Sequence, residues 1–330
     1  MTPNNSVERD PTSCACGVPS RLRRYGGPSR QTLGVTSHPH MTPTTEIPSV
    51  TRVEVDDARV RAFKDEHDFT GLAVELLIEV GSYVCIAASI LPPPPHGWNR
   101  HEAVVVGHLA RLYKLISAML DQTCQHRRET TFIFARLSFE CIVNIMFLLK
   151  NDRPEVVTSY IKYSMRHEKR LRDRIRNNIA ARGGEPLHIE QRMLRSIEAS
   201  AKKSGVDLDS INPPKNWGGK NLFEKAKEVG LEDAYLGAFA GPSHAVHGNW
   251  QDLLEYHLDA DDEGYRADLQ WHRPRPQLLT TLAHLTMKTL MTFFSHAAGE
   301  AGDEISNKFP DLEDRLGTFV HLHEEFLARG

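Results

Sequence analysis

From residue 52 onward, apolar positions recur at three- and four-residue spacing, the period of helices that bury one face. Residues 56–91 predict one long helix whose second half, 69–91, is strongly apolar. That half is as long as a membrane span, but Glu75 and Glu79 sit in its middle. Two carboxylates at bilayer centre are costly, so it reads as a buried core helix. The run Pro92–Pro95 ends it, and Asn99 is placed to cap a second helix over 100–125. A third helix over 129–150 is apolar nearly all round, as a central helix is. Arg153-Pro154 opens a fourth, which runs to Arg182 before Gly183-Gly184.

Beyond Gly184 the pattern loosens. Residues 186–204 predict a polar, exposed helix, 205–220 a loop, and 222–229 and 232–239 short helical pieces. One more helix is expected from Gly241-Pro242 to His257, then a loop over 258–276, a strong amphipathic helix over 277–298 and a last one over 312–328. No run alternates with period two over a useful length. The expected fold class is therefore all-α: a multi-helix bundle with a long polar insertion and no significant β-sheet. It is expected as a single domain over 52–330, with the insertion, 183–222, mobile. Residues 1–50 predict a disordered extension, because Leu22, Leu33, Val35 and Ile47 form no face that offsets chain entropy. Met41 is a candidate start. No apolar run follows the early arginines, so no secretory signal is read and a cytoplasmic location is expected.

Charge narrows the function classes. Forty basic against 43 acidic residues exclude a generally basic nucleic-acid binder, and five cysteines in 330 residues do not make a disulfide scaffold. One local excess stands out: residues 153–182 carry nine basic and three acidic side chains. Lys162, Arg166, Lys169, Arg170, Arg172, Arg174 and Arg176 lie opposite an apolar line that includes Tyr160, His167 and Ile175. The basic face 162–176 is either a solvated surface or a contact for RNA or another phosphate-bearing ligand. No membrane partner is expected, and a homo-oligomer is compatible with this reading.

Most motifs fail on their chemistry. The run Asp259–Gly264 begins like a calcium loop, but its twelfth position is Gln270 and no helix pair flanks it. His244 and His247 share a helix face without a further metal-ligand partner, so no metal or cofactor is expected. What remains is a polar seam. Arg136, Glu140 and Asn144 recur at i, i+4 and i+8 in the apolar central helix. The plainer reading is an internal Arg136–Glu140 salt bridge, since a buried guanidinium and carboxylate are costly unless paired. The functional reading is a cavity whose second wall is Gly241–Trp250. There Ser243 follows Pro242 in a first helical turn, a natural place for an anion, and shares a face with His247. The candidates for catalysis are His247, Arg136, Glu140 and Ser243. Those for ligand contact are His167, Asn144, Tyr235, His244 and Trp250. Their chemistry suits a metal-independent hydrolase or RNA-processing enzyme in stress or defence, or a non-catalytic module for a small anionic ligand or a protein partner.

The combination Arg136-x-x-x-Glu140 with Tyr235…Ser243-x-x-x-His247-Gly248-x-Trp250 resembles a bacterial helical family of unknown function over residues 70–298. The resemblance implies an all-α fold and attention to those residues, and no activity. A looser similarity is to HEPN helical-bundle ribonucleases, which use an arginine and a histidine a few residues apart. Arg61/His67, Arg182/His188, Arg266/His272 and Arg315/His321 have that spacing. With 17 histidines in the chain, such pairs are expected by chance.

Overall fold

The computed structural model describes residues 48–90, 98–212, 216–297 and 299–329. The Met41 start and almost all of the expected extension 1–50 lie outside these residues. In chain order the first helices are α1 (Asp57–Arg61), α2 (Glu66–Ile90), α3 (Arg100–Cys124) and α4 (Arg128–Lys150). Then come α5 (Pro154–Ser164), α6 (Arg166–Ala181), α7 (His188–Ser204), α8 (Leu222–Glu228) and α9 (Glu232–Tyr235). A π-helical turn, Leu236–Ala240, leads into α10 (Ser243–His247) and α11 (Trp250–Tyr256). The hairpin β1 (Leu258–Asp261) and β2 (Gly264–Ala267) precedes α12 (Pro276–Ala297), α13 (Gly299–Ser306) and α14 (Phe309–Leu327).

Among the described residues the fold is all-α apart from that one antiparallel hairpin, which lies in the first part of the expected loop 258–276. Its strands are mostly exposed and too polar to alternate, which is why no period-two signal marks them. α4 is central, packed against α3, α12, α8 and α10. Its Phe139, Ile142, Val143, Ile145 and Leu148 are fully enclosed. α3 starts where Asn99 and Glu102 form a reciprocal capping box, Asn99 Oδ1 accepting from Glu102 N at 3.1 Å. α2, α3 and α4 are each long and apolar enough to cross a membrane by length and composition. Here they pack on one another, and Glu79 of α2 meets Arg315 of α14 in a two-pronged ion pair of 2.7 and 2.8 Å.

Three predicted helices are interrupted. The one over 56–91 breaks because Phe63 turns in to meet Phe69 edge-on at 5.0 Å, while Asp65 caps α2 by accepting from His67 N and Asp68 N. The one over 153–182 breaks at Met165, between α5 and α6. That interruption resets the helical phase, with two consequences. His167, expected on the buried line, is exposed, and Arg172, expected on the basic side, is buried. The helix expected up to His257 is divided at Gly248, whose left-handed φ of 57° ends α10 before Asn249 caps α11.

The insertion 183–222 carries α7, which lies on α6 over a small core of its own: Met165, Ile175, Ile197, Ala201, Leu208 and Ile211. Its last turn returns to the main core through Trp217, buried against Phe147 and Tyr160. Gly218 follows at φ 63°, and a Cβ there would stand 3.0 Å from Phe147 Cε1. Gly218→Ala is thus expected to destabilise the fold by about 1–3 kcal/mol, from left-handed strain plus overpacking. Urea unfolding checks this, and a variant as stable as wild type would refute it.

Candidate functional site

The polar seam on α4 does not close on itself. Among the described residues no ion pair joins Arg136 to Glu140, which corrects the expected internal salt bridge. At 3.6 residues per turn the seam drifts by about 80° between Arg136 and Asn144, so its two ends face different neighbours. Arg136 is turned to α10 and the π-helical turn, and its Nε donates to Ser243 Oγ at 2.9 Å. The Phe239 ring lies under the guanidinium, 4.5 Å from its carbon. Ser243 Oγ in turn donates to the Phe239 carbonyl at 2.6 Å, so one π-turn residue anchors both partners. The turn widens the backbone by one residue, Gly241 N bonding Leu236 O at 2.8 Å, a device that often reshapes functional helices. Tyr235 completes the wall, its ring 5.0 Å from Phe239 and 5.1 Å from Phe223.

Arg136 is half-buried. Its Nη groups meet no carboxylate among the described residues. A guanidinium partly removed from water, oriented on one edge and one face and lacking an anion, is pre-arranged to receive an oxyanion. The remaining candidates sit around it unevenly. His244 is half-buried, His247 is exposed on α10 one turn after Ser243, and Trp250 is 56% exposed with its ring against Tyr265. α10 has only five residues, so the expected helix-end attraction for an anion has little dipole behind it. His167 is exposed on α6, which packs on α5 and α7.

The other half of the seam faces α5 and α8. Asn144 is buried, and the charge of Glu140 acts on Lys225, Cys141 and Tyr160. Lys225 is 2% exposed, its Nζ 3.3 Å from the centre of the Trp217 ring and 5.5 Å from that of Phe147. Burial pulls its ammonium down to about 7, with Glu140 and Glu224 opposing. Burial pushes the Cys141 thiol up to about 11. His108 of α3 is 5% exposed, and neither ring nitrogen has a hydrogen-bond partner among the described residues. Burial, then Arg111, hold its imidazolium off down to about 4. Sequence reasoning missed His108, Trp217 and Lys225. The one available signal was a tryptophan inside a glycine-rich loop.

The basic face is largely consumed by the fold. Arg172 pairs with Asp173 and Asp209, Lys169 Nζ donates to the Ile211 carbonyl at 3.0 Å, and Arg176 approaches Glu198. Lys162, Arg170 and Arg174 stay exposed. Every arginine with HEPN-like spacing is also engaged: Arg61 by Glu325, Arg182 by Glu190, Arg266 by Asp261 and Glu263, and Arg315 by Glu79. Among the described residues no group of three His, Cys, Asp or Glu is placed to hold a metal.

Fold and site together define a helical bundle with an arginine-centred polar seam between its central helix and a broken, π-turned connection. Residues 102–265, from α3 to the hairpin, match a family of unknown function, DUF5677. The similarity to a helical family without an assigned activity thus holds over a shorter stretch than the 70–298 expected. No curated protein matches the chain. No solved structure matches it either.

Proposed function

We propose that this chain is a helical module that binds a phosphate-bearing anionic ligand at Arg136, with Ser243 orienting the guanidinium and His244 and His247 at the rim. The observation that carries this is the half-buried Arg136, held by Ser243 and Phe239 and without a carboxylate partner among the described residues. Exposed Lys162, Arg170 and Arg174 offer a second contact for an extended ligand such as RNA.

A second reading makes the same site a metal-independent hydrolase or RNA-processing enzyme, as a HEPN-like role in stress or defence would require. What favours it is His247, exposed one turn from Ser243 and available for proton transfer. One experiment separates the two. Purified chain is titrated with inorganic phosphate by calorimetry and incubated with a mixed RNA pool, beside Arg136→Lys and His247→Ala. Arg136→Lys loses the Ser243-oriented fork and is expected to weaken phosphate binding at least about tenfold, the worth of one charge-assisted hydrogen bond. Binding unchanged in Arg136→Lys refutes the ligand reading. RNA cleavage by wild type and not by His247→Ala would establish the enzyme.

A further inference from the structure

Two separate runs of ring contacts, one starting at buried His108 and the other ending at Arg136, meet on helix α8. The His108 ring meets Tyr160 edge-on at 5.4 Å, and Tyr160 meets Trp217 at 5.1 Å. Trp217 carries the Lys225 ammonium on its face. Lys225 and Phe223 both belong to α8, and Phe223 meets Tyr235, which meets Phe239, the ring beneath Arg136. Trp217 is also the buried residue by which the short turn 217–219 returns to the main core, secured by Gly218 N donating to Ser159 Oγ at 3.0 Å. The turn is three residues long, and its Trp217 ring lies between Tyr160, which covers buried His108, and the buried Lys225 amine.

From this arrangement we infer that the Trp217 turn is an acid-released latch, opened by protonation of His108, that controls the Arg136 site. The inference rests on the ligand reading of Arg136 given above. His108 is enclosed without a partner for either nitrogen among the described residues, so a proton on it meets no acceptor there to hold it in the closed state. The groups around it do not compensate. Arg111 on its own helix is repulsive, Tyr160 presents a ring, and Cys141 on α4 stays protonated. Glu140 is the one nearby carboxylate whose field reaches Tyr160, Cys141 and Lys225, and Glu224 faces Lys225 from α8. As pH falls, Lys225 gains its charge first, and a second positive charge at His108 then sits on the same ring stack. Opening the turn hydrates both. Because the open state binds the His108 proton with ordinary affinity, the opening midpoint lies between about 4 and 6.5.

Tryptophan fluorescence of the full chain reads the latch directly. Between pH 7 and pH 4, emission is expected to shift to the red while far-ultraviolet circular dichroism is unchanged. The shift should vanish in Trp217→Phe and in His108→Leu. No step in wild type, or a step that persists in His108→Leu, overturns the proposal. Should His108→Leu not fold, hydrogen exchange at the Gly218 amide of wild type decides. Its protection, corrected for the intrinsic pH dependence, must fall at least tenfold across the step while α12 amides hold theirs; constant protection overturns the latch. Titration with sulfate, a dianion at both pH values, tests the connection to Arg136: a fall in affinity across the step that is absent from His108→Leu supports it, and affinity unchanged in wild type, or falling equally in the variant, overturns it. Absence of phosphate and sulfate binding at every pH would instead defeat the ligand reading of Arg136, and with it control of that site, while the Trp217 step still decides the latch.

Discussion

Arg315→Ala is expected to destabilise the protein by about 3–5 kcal/mol, the usual consequence of removing one partner from a buried pair. Glu79 is 2% exposed and Arg315 7%, and their side chains meet in two parallel hydrogen bonds of 2.7 and 2.8 Å. Arg315 also donates to the Val53 carbonyl at 2.7 Å and to Asp311 at 2.9 Å, and Glu79 accepts from Val53 N at 2.8 Å. The pair therefore joins α2, α14 and the strand-like segment before α1. Without the guanidinium, the carboxylate is left in the core with a single backbone donor. Arg136→Ala, by contrast, gives up one hydrogen bond and one ring contact at a half-buried site, about 1–2 kcal/mol, and strands no carboxylate. A buried Arg136–Glu140 bridge would instead have made the two losses alike. Glu79→Leu with Arg315→Met should recover most of the loss, since well-packed apolar side chains often replace a buried pair without cost. Urea unfolding of the three variants checks the series. If Arg315→Ala lies within about 1 kcal/mol of wild type, the pair is solvated and the assignment of the core is wrong.

Lys225→Met should do the opposite and stabilise the fold at neutral pH. The ammonium falls from 10.5 to about 7 on folding. At 1.36 kcal/mol per unit that amounts to about 5 kcal/mol of penalty for the charged form. Attraction to the Trp217 face offsets up to about 2 kcal/mol, leaving about 3 kcal/mol. The sign follows from proton counting. Between pH 7 and 10.5 the unfolded chain binds the proton more than the folded one, so wild-type stability rises with pH through that window. Below about 7 both states are protonated and the penalty is fully present. Methionine has no proton to gain, fills similar volume and keeps contact with the ring. Melting curves from pH 6 to 10 should therefore show a rise in wild type and a flat profile in the variant, with the two converging at the alkaline end. A variant less stable than wild type at pH 7 would show that the cation–ring attraction outweighs desolvation.

How much of this was legible beforehand differs by element. α3 and α4 were readable to within a residue or two, because a capping Asn99, the prolines that follow α2 and an apolar stripe at helical period are local signals. The break at Met165 was not, since nothing at that position departs from helical propensity. Only the packing of α6 against α7 turns Arg172 inward and His167 out, while Ile175 stays on the buried line as expected. The seam was visible as three polar residues on a greasy helix, yet its partners were not. Arg136 and Ser243 are 107 residues apart, and Glu79 and Arg315 are 236 apart.

Local chemistry, then, determined the helical class, the central place of α4 and the polar seam that carries Arg136, because periodicity and caps act over one or two turns. Tertiary structure alone decided which arginine holds the buried carboxylate, which basic side chains remain free, and that His108 and Lys225 end on one stack of rings. Pairing energy depends on burial and on distances between elements remote along the chain, and neither quantity is written in the spacing of residues within a helix.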